Sequence, residues 1–349
     1  MGGRDAGGRL VLALVVVLVL MACAPASTTT VPPTVAPRAS TPALPPSPTA
    51  AVTLASPSAA PASSVTLASL IAPSAKIETM TTDLTFTEGP LWLPDGRLIV
   101  SDVPGNVVMV IDAAGEMTDF RRPSNHANGH ALDADGLVLQ AEHGDATTPG
   151  RITRLARTGQ DTVLVDGFQG KRFNSPNDLI VKRDGTIWFT DPDYGLTGTS
   201  AIGSNGVYRL DPRTRAVTLL TTALGEPNGI AFSPDERTLY VSDSQGAGVV
   251  EGAGTVTAFP VHDDGSIGPG TRLGRGCDGI GVDELGDVWA SSCGPEIVVT
   301  DPQGREIGSI AFPGDTTNLA WGGEDGKTLF VTTTGGWVHR LSLTVRETP

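Results

Sequence analysis

One pattern recurs six times along this chain, and it constrains the fold more than any other feature. A Glu, Asn or Asp opens a short apolar stretch, an Asp-Gly-type turn follows, and a β-rich run comes after it. The copies are Glu88–Asp102, Asn128–Glu142, Asn177–Asp191, Asn228–Asp243, Asp278–Ser292 and Asn318–Thr332. Each reads as a hairpin, because apolar alternation on either side of a tight turn is the signature of paired strands. Further strand pairs follow, such as Val107–Asp112, Gly206–Asp211 and Glu296–Asp301, giving about four strands per unit. The copies begin 40 to 51 residues apart, the blade period of a β-propeller. The expected fold is therefore all-β: a six-bladed β-propeller of four-stranded antiparallel blades around a central channel, over residues 76–345. The alternating segment Lys76–Met80 is expected to close the ring as the outer strand of the last blade, beside Trp337–Leu343. Trp92, Trp188, Trp289 and Trp321 recur inside the hairpins and read as packing between blades.

The region ahead of the repeats has a different character. Arg4 and Arg9 precede an apolar run, Leu10–Leu20, of signal-peptide rather than membrane-span length. It ends Leu20-Met21-Ala22-Cys23, which resembles the bacterial lipobox and implies lipidation of Cys23 after removal of residues 1–22. Residues 23–75 are rich in Ala, Pro, Ser, Thr and Val and predict a disordered linker. The chain is thus expected to be exported and lipid-anchored to the bacterial cell envelope, with no other membrane contact. Cys277 and Cys293 remain for that oxidising compartment. Both lie eight residues from a turn centred near Leu285, so in a simple hairpin they face each other. A disulfide between them is expected, with two buried free thiols as the alternative. A net charge of −14 and the lack of any basic run exclude a nucleic-acid-binding face.

The residues that open the copies carry the chemistry. Glu88, Asn128, Asn177, Asn228, Asp278 and Asn318 occupy one matched position, and in a propeller that position forms a ring around the channel axis. Such a ring presents hard oxygen donors to one point, and calcium takes six to eight such oxygens. Zinc prefers His or Cys, and neither occupies these positions. Asn-rich turns are also ordinary loop chemistry, but Glu and Asp at two of the six places argue against that reading alone. One divalent cation is expected, calcium first, with Mg2+, Mn2+ or Zn2+ as alternatives.

These motifs resemble the senescence marker protein/gluconolactonase/luciferin-regenerating enzyme family of six-bladed propellers. Glu88-Gly-Pro-Leu-Trp92 is similar to its metal-binding glutamate motif. Arg172–Asp178 and Trp188–Gly195 are similar to bacterial gluconolactonases. The resemblance spans about residues 77–343. It implies that Glu88, Asn228 and Asp278 bind the ion, with Asp278 also transferring the proton. Asn177 is implied as a fourth ligand or a substrate contact, and Arg172 as a substrate contact. Animal members place the Arg closer to the Asn-Asp pair, so Asn174 competes with Asn177; repeat register favours Asn177. Asn128 and Asn318 are further expected substrate contacts, and related paraoxonases suggest the same for His130.

The implied activity is hydrolysis of a small lactone by cation-activated water, in a monomeric enzyme with a small-molecule lactone or ester as its partner. A phosphotriesterase or arylesterase on the same site, and a non-catalytic surface-anchored propeller, are the rival readings. No Gly-x-Ser-x-Gly elbow is present, which disfavours a serine esterase.

Overall fold

The computed structural model describes residues 65–156, 160–196, 198–245 and 254–348. The expected leader, the expected lipidation site Cys23 and most of the expected linker lie outside the described residues, as do Thr197 and residues 246–253. No helix among the described residues is long and apolar enough to cross a membrane.

The repeats fold into six four-stranded antiparallel sheets arranged as a six-bladed propeller. The innermost strands of blades 1 to 6 are Thr87–Trp92, Ala127–Leu132, Leu179–Val181, Pro227–Phe232, Ile280–Val282 and Thr316–Gly322. In each blade the next strand returns through the tight turn that the sequence marks. Gly96, at φ +86°, shows why glycine recurs there: the left-handed region carries no Cβ penalty for it. Blade 4 places Glu236 in that region instead, at φ +55°. Its carboxylate takes bonds from Lys182 Nζ at 2.9 Å and the Arg183 amide at 2.8 Å, tying this turn to blade 3.

The closure expected of Lys76–Met80 is observed. Glu78–Thr81 pairs antiparallel with Val338–Ser342, so blade 6 joins both ends of the folded region. Part of the segment expected as linker packs on the propeller. Leu70 is buried in the core between blades 5 and 6, Ile71 bridges to Leu343, and the Ala72 amide donates to Ser342 O at 3.1 Å.

The hydrophobic core is divided into six clusters, each between two adjacent blades. Each sheet is apolar on both faces because it has a neighbour on both sides. The tryptophans sit at these seams: Trp92 stacks on Phe330 between blades 1 and 6, Trp188 meets Phe232 edge-on, and Trp289 meets Trp321 edge-on. Such aromatic pairs add to the area burial that holds a closed ring together.

Candidate metal centre

Five of the six matched ring residues are held by one or both of two devices, written in the last residues of the repeats of blades 1, 3 and 4. First, a carboxylate ends the second strand of the early blades and accepts amides from the lead-in to its own inner strand. Asp102 takes Thr85 N at 3.1 Å and Phe86 N at 3.4 Å. Asp191 takes Asn174 N at 3.0 Å and Ser175 N at 2.8 Å. Asp243 takes Gly225 N at 2.9 Å and Glu226 N at 2.8 Å. In every case the donors stand three and two residues ahead of the ring residue. Second, the hydroxyl just before the carboxylate reaches the next blade. Ser101 Oγ donates to Asn128 O at 2.9 Å, Thr190 Oγ1 to Asn228 O at 2.7 Å and Ser242 Oγ to Asp278 O at 2.6 Å. Asn228 is thereby held from two blades, Glu88 and Asn177 through the carboxylate of their own blade, and Asn128 and Asp278 through the hydroxyl of the blade before.

Five of the six ring residues, Glu88, Asn128, Asn177, Asn228 and Asp278, line one cavity of about 500 Å³ at the channel mouth. Its walls are completed by Phe86, Val103, Pro104, His143, Tyr194, Glu226, Ser244 and Cys293. None of these residues is Lys or Arg. Burial, and then the nearby Asp278 charge, hold the Glu88 carboxyl well above the usual carboxylate range. Burial, with Asp178 adding to it, pushes Asp278 up to about 8. Two buried acids without a basic partner are costly as carboxylates and favour either protons or a cation.

The amides are turned so that their oxygens are free. Asn128 Nδ2 lies 3.2 Å from His143 Nε2. Burial pushes His143 down to about 4, so its ring is neutral and that nitrogen accepts. Asn228 Nδ2 lies 3.5 Å from the Tyr194 hydroxyl. Asn128 Oδ1, Asn228 Oδ1 and Asp278 Oδ1 are left buried with no protein partner. Orphaned buried acceptors are rare and call for an occupant. Two amide oxygens and one oxygen of Asp278, with the Glu88 carboxyl beside them, suit a hard divalent cation with oxygen ligands. No group of three or more His, Cys, Asp or Glu side chains with metal-binding geometry occurs among the described residues, so any such site depends on the amide oxygens.

The remaining expected site residues lie elsewhere. Asn318, the sixth ring position, faces away from this cavity. Its Nδ2 donates to Glu88 Oε2 at 3.2 Å and its Oδ1 accepts from Leu319 N at 2.7 Å, so it orients Glu88. His130 sits two residues beyond Asn128, roughly 7 Å further along an extended strand. That places it with Asp178 and Asn318 in a second chamber of about 420 Å³, where Nδ1 donates to Gly89 O at 2.6 Å. Arg172 is exposed on a short ribbon and donates to Asp145 O at 2.9 Å. It lines a smaller neighbouring cavity of about 210 Å³ that shares His143 with the first. Asn174 is engaged by Ser204 O and Asn205 Oδ1, leaving Asn177 in the ring. Cys277 and Cys293 are joined by a disulfide.

Fold and site together define a six-bladed β-propeller with an acidic oxygen-donor pocket at one end of its channel. Residues 86–335 match the SMP-30/gluconolactonase/LRE-like region. The chain belongs to that family. It is 33% identical over 290 residues to a gluconolactonase of Zymomonas mobilis, covering 74% of this chain and 79% of the relative. A gluconolactonase structure from Xanthomonas campestris superposes with a TM-score of 0.71 at 35% identity, covering 79% of this chain and 92% of that one. The fold is also shared with regucalcin, a calcium-binding protein of Agrobacterium tumefaciens, at a TM-score of 0.62, 20% identity, and coverage of 77% and 94%.

Proposed function

We propose that this protein hydrolyses a small lactone, opening a sugar-lactone ring, with one divalent cation held by Glu88, Asn177, Asn228 and Asp278. The observation that carries this reading is the set of orphaned oxygens of Asn128, Asn228 and Asp278 in one cavity with Glu88, two of these four residues being acids with no basic partner there. Calcium suits that donor set best, because it accepts amide and carboxylate oxygens with water filling the rest. When bound, such a cation polarises a lactone carbonyl and lowers the pKa of water. Asp278 then accepts the proton of the attacking water and returns it to the ring oxygen as the carbon–oxygen bond breaks. Glu88 balances charge, and Asn318 keeps it in place. The cavity admits a small polyhydroxy ring, with Asn128, Tyr194, Glu226 and Ser244 as hydrogen-bonding walls and Arg172 near an adjoining space. The likeness to gluconolactonases of similar length supports the substrate class.

Metal analysis of the purified chain is expected to find about one divalent cation per molecule, and chelation is expected to abolish hydrolysis of gluconolactone-type substrates until calcium is restored. Equal turnover with and without chelator defeats the reading. Faster turnover of aryl esters or phosphotriesters than of any lactone favours the rival enzyme.

We also propose export and anchoring through a lipidated Cys23. A disulfide persists in oxidising compartments and is uncommon in the cytosol, which supports this placement. Cells expressing the chain are expected to incorporate radiolabelled fatty acid into it, and Cys23→Ser is expected to remove the label.

A further inference from the structure

Blade 5 departs from blades 1, 3 and 4 at the device that fixes its ring residue. The pairing Ile230↔Val241 in blade 4 places Asp243 two residues beyond Val241. The pairing Ile280↔Ala290 places Ser292 at the same point in blade 5. Ser292 offers no carboxylate to Arg275 N or Gly276 N; its Oγ accepts from Gly294 N at 3.2 Å instead. The inner strand of blade 5 also starts late, at Ile280, whereas Glu88, Asn128 and Asn228 lie inside their strands. Asp278 thus precedes its strand, as Asn177 does in blade 3; Ser242 Oγ of blade 4 donates to its carbonyl, and its neighbours Cys277 N and Gly279 O pair with Ser291 at 2.7 and 3.0 Å. What replaces the missing staple is the disulfide. Cys277 directly precedes Asp278, and Cys293 directly follows Ser292 and lines the cavity. Their Cα atoms are 5.5 Å apart.

We propose that Cys277–Cys293 is a positioning bond for Asp278, taking over in blade 5 the part played by Asp102, Asp191 and Asp243, so that cation affinity and turnover depend on its oxidation. This rests on the reading of Asp278 as cation ligand and proton acceptor. Cys277 is fully buried and Cys293 is partly exposed, so a dithiol reductant attacks the Cys293 sulfur. The S–S bond breaks, Cys277 leaves as a thiolate and takes a proton, and a mixed disulfide forms on Cys293. The second thiol of the reductant then displaces Cys293, which is protonated in turn, and the reductant departs as a cyclic disulfide. Two electrons and two protons have passed to the protein. Freed of the bond, the Cys277 side chain loses its tie to Cys293, and Asp278 is held to the second strand only through its neighbours, by Cys277 N donating to Ser291 O at 2.7 Å and Ser291 N donating to Gly279 O at 3.0 Å.

The test is calorimetric titration with calcium ions, alongside lactone kinetics, on the full chain in oxidised form, after reduction with dithiothreitol, and as Cys277→Ala/Cys293→Ala. Circular dichroism checks that each form remains folded. Reduction or the double substitution is expected to weaken calcium binding ~10-fold or more, the usual effect of removing a group that orients a ligand, with a parallel fall in kcat. Adding Ser292→Asp to the cysteine-free chain supplies the missing carboxylate and is expected to restore affinity to within about threefold of wild type, again on the scale of such supporting groups. A disulfide that only stabilises the fold lowers the melting temperature while leaving calcium affinity and kcat unchanged, and that result overturns the inference alone. An oxidised wild-type chain that neither binds calcium nor opens a lactone overturns the proposed function and this inference with it.

Discussion

Asp278→Asn is expected to lower kcat for lactone hydrolysis by about 10²–10⁴-fold, the contribution of a positioned proton acceptor, while the propeller stays folded. Asn preserves the shape of the side chain and one carbonyl oxygen, so cavity contacts change little. It cannot take the proton of an attacking water. The substitution also removes one of the crowded acids on this channel, since the charges of Asp278 and Asp178 raise Glu88 and that of Asp178 raises Asp278. The cation-free variant is therefore expected to melt no lower than the wild type. Initial rates, circular dichroism and a thermal melt together separate the possibilities. Unchanged kcat removes Asp278 from the chemistry. A wild type with no turnover on any lactone, aryl ester or phosphotriester returns the molecule to the class of binding propellers, which the fold alone permits.

Much of this site was legible because a propeller converts sequence period into spatial symmetry. Residues some 40 to 51 apart in sequence, from Glu88 to Asp278, come to one height because their blades repeat the same hairpin. The limits arise where side-chain direction, not register, decides. Asn318 holds the matched position but turns to cap Leu319 N and support Glu88, and nothing in its neighbours announces that. The likeness to paraoxonases points to His130, two residues after Asn128, whereas the strand carries it into the chamber beyond the cavity. His143 is the histidine that reaches Asn128, and the repeat did contain a signal for it. Val103, His143, Ser244 and Cys293 each stand one residue past the end of their copy, and all four line the cavity. One more column of the alignment marks a wall. The packing of Leu70 was hidden for a different reason: Ala, Ser, Leu and Val suit both a featureless linker and a strap whose Leu70 is buried between blades.

The electrostatics of the cavity make a second large effect measurable without substrate. Glu88 lies above its ordinary range, and burial pushes Asp278 up to about 8 and Asp178 up to about 7. In the unfolded chain such groups titrate near pH 4. Between those limits the folded protein without a cation retains protons that the unfolded chain has released. His130 and His143, which burial pushes down to about 4, act in the opposite sense below about pH 6.5. The raised acids, Asp191 and Glu347 at about 7 among them, outnumber them, so unfolding releases protons and stability falls as pH rises from about 5 towards 8. A divalent cation reverses the balance: it displaces the protons, pairs with the carboxylates and binds only the folded state, so its stabilisation grows with concentration over Kd. Because protons compete for the same oxygens, that gain is larger at the alkaline end. Melting the chain in chelator is therefore expected to give a higher Tm at about pH 5.5 than at about pH 8, and excess calcium is expected to raise Tm more at about pH 8 than at about pH 5.5. A chelated protein whose Tm climbs across this interval, or one indifferent to calcium at its upper end, is incompatible with two uncompensated acids sharing the channel mouth.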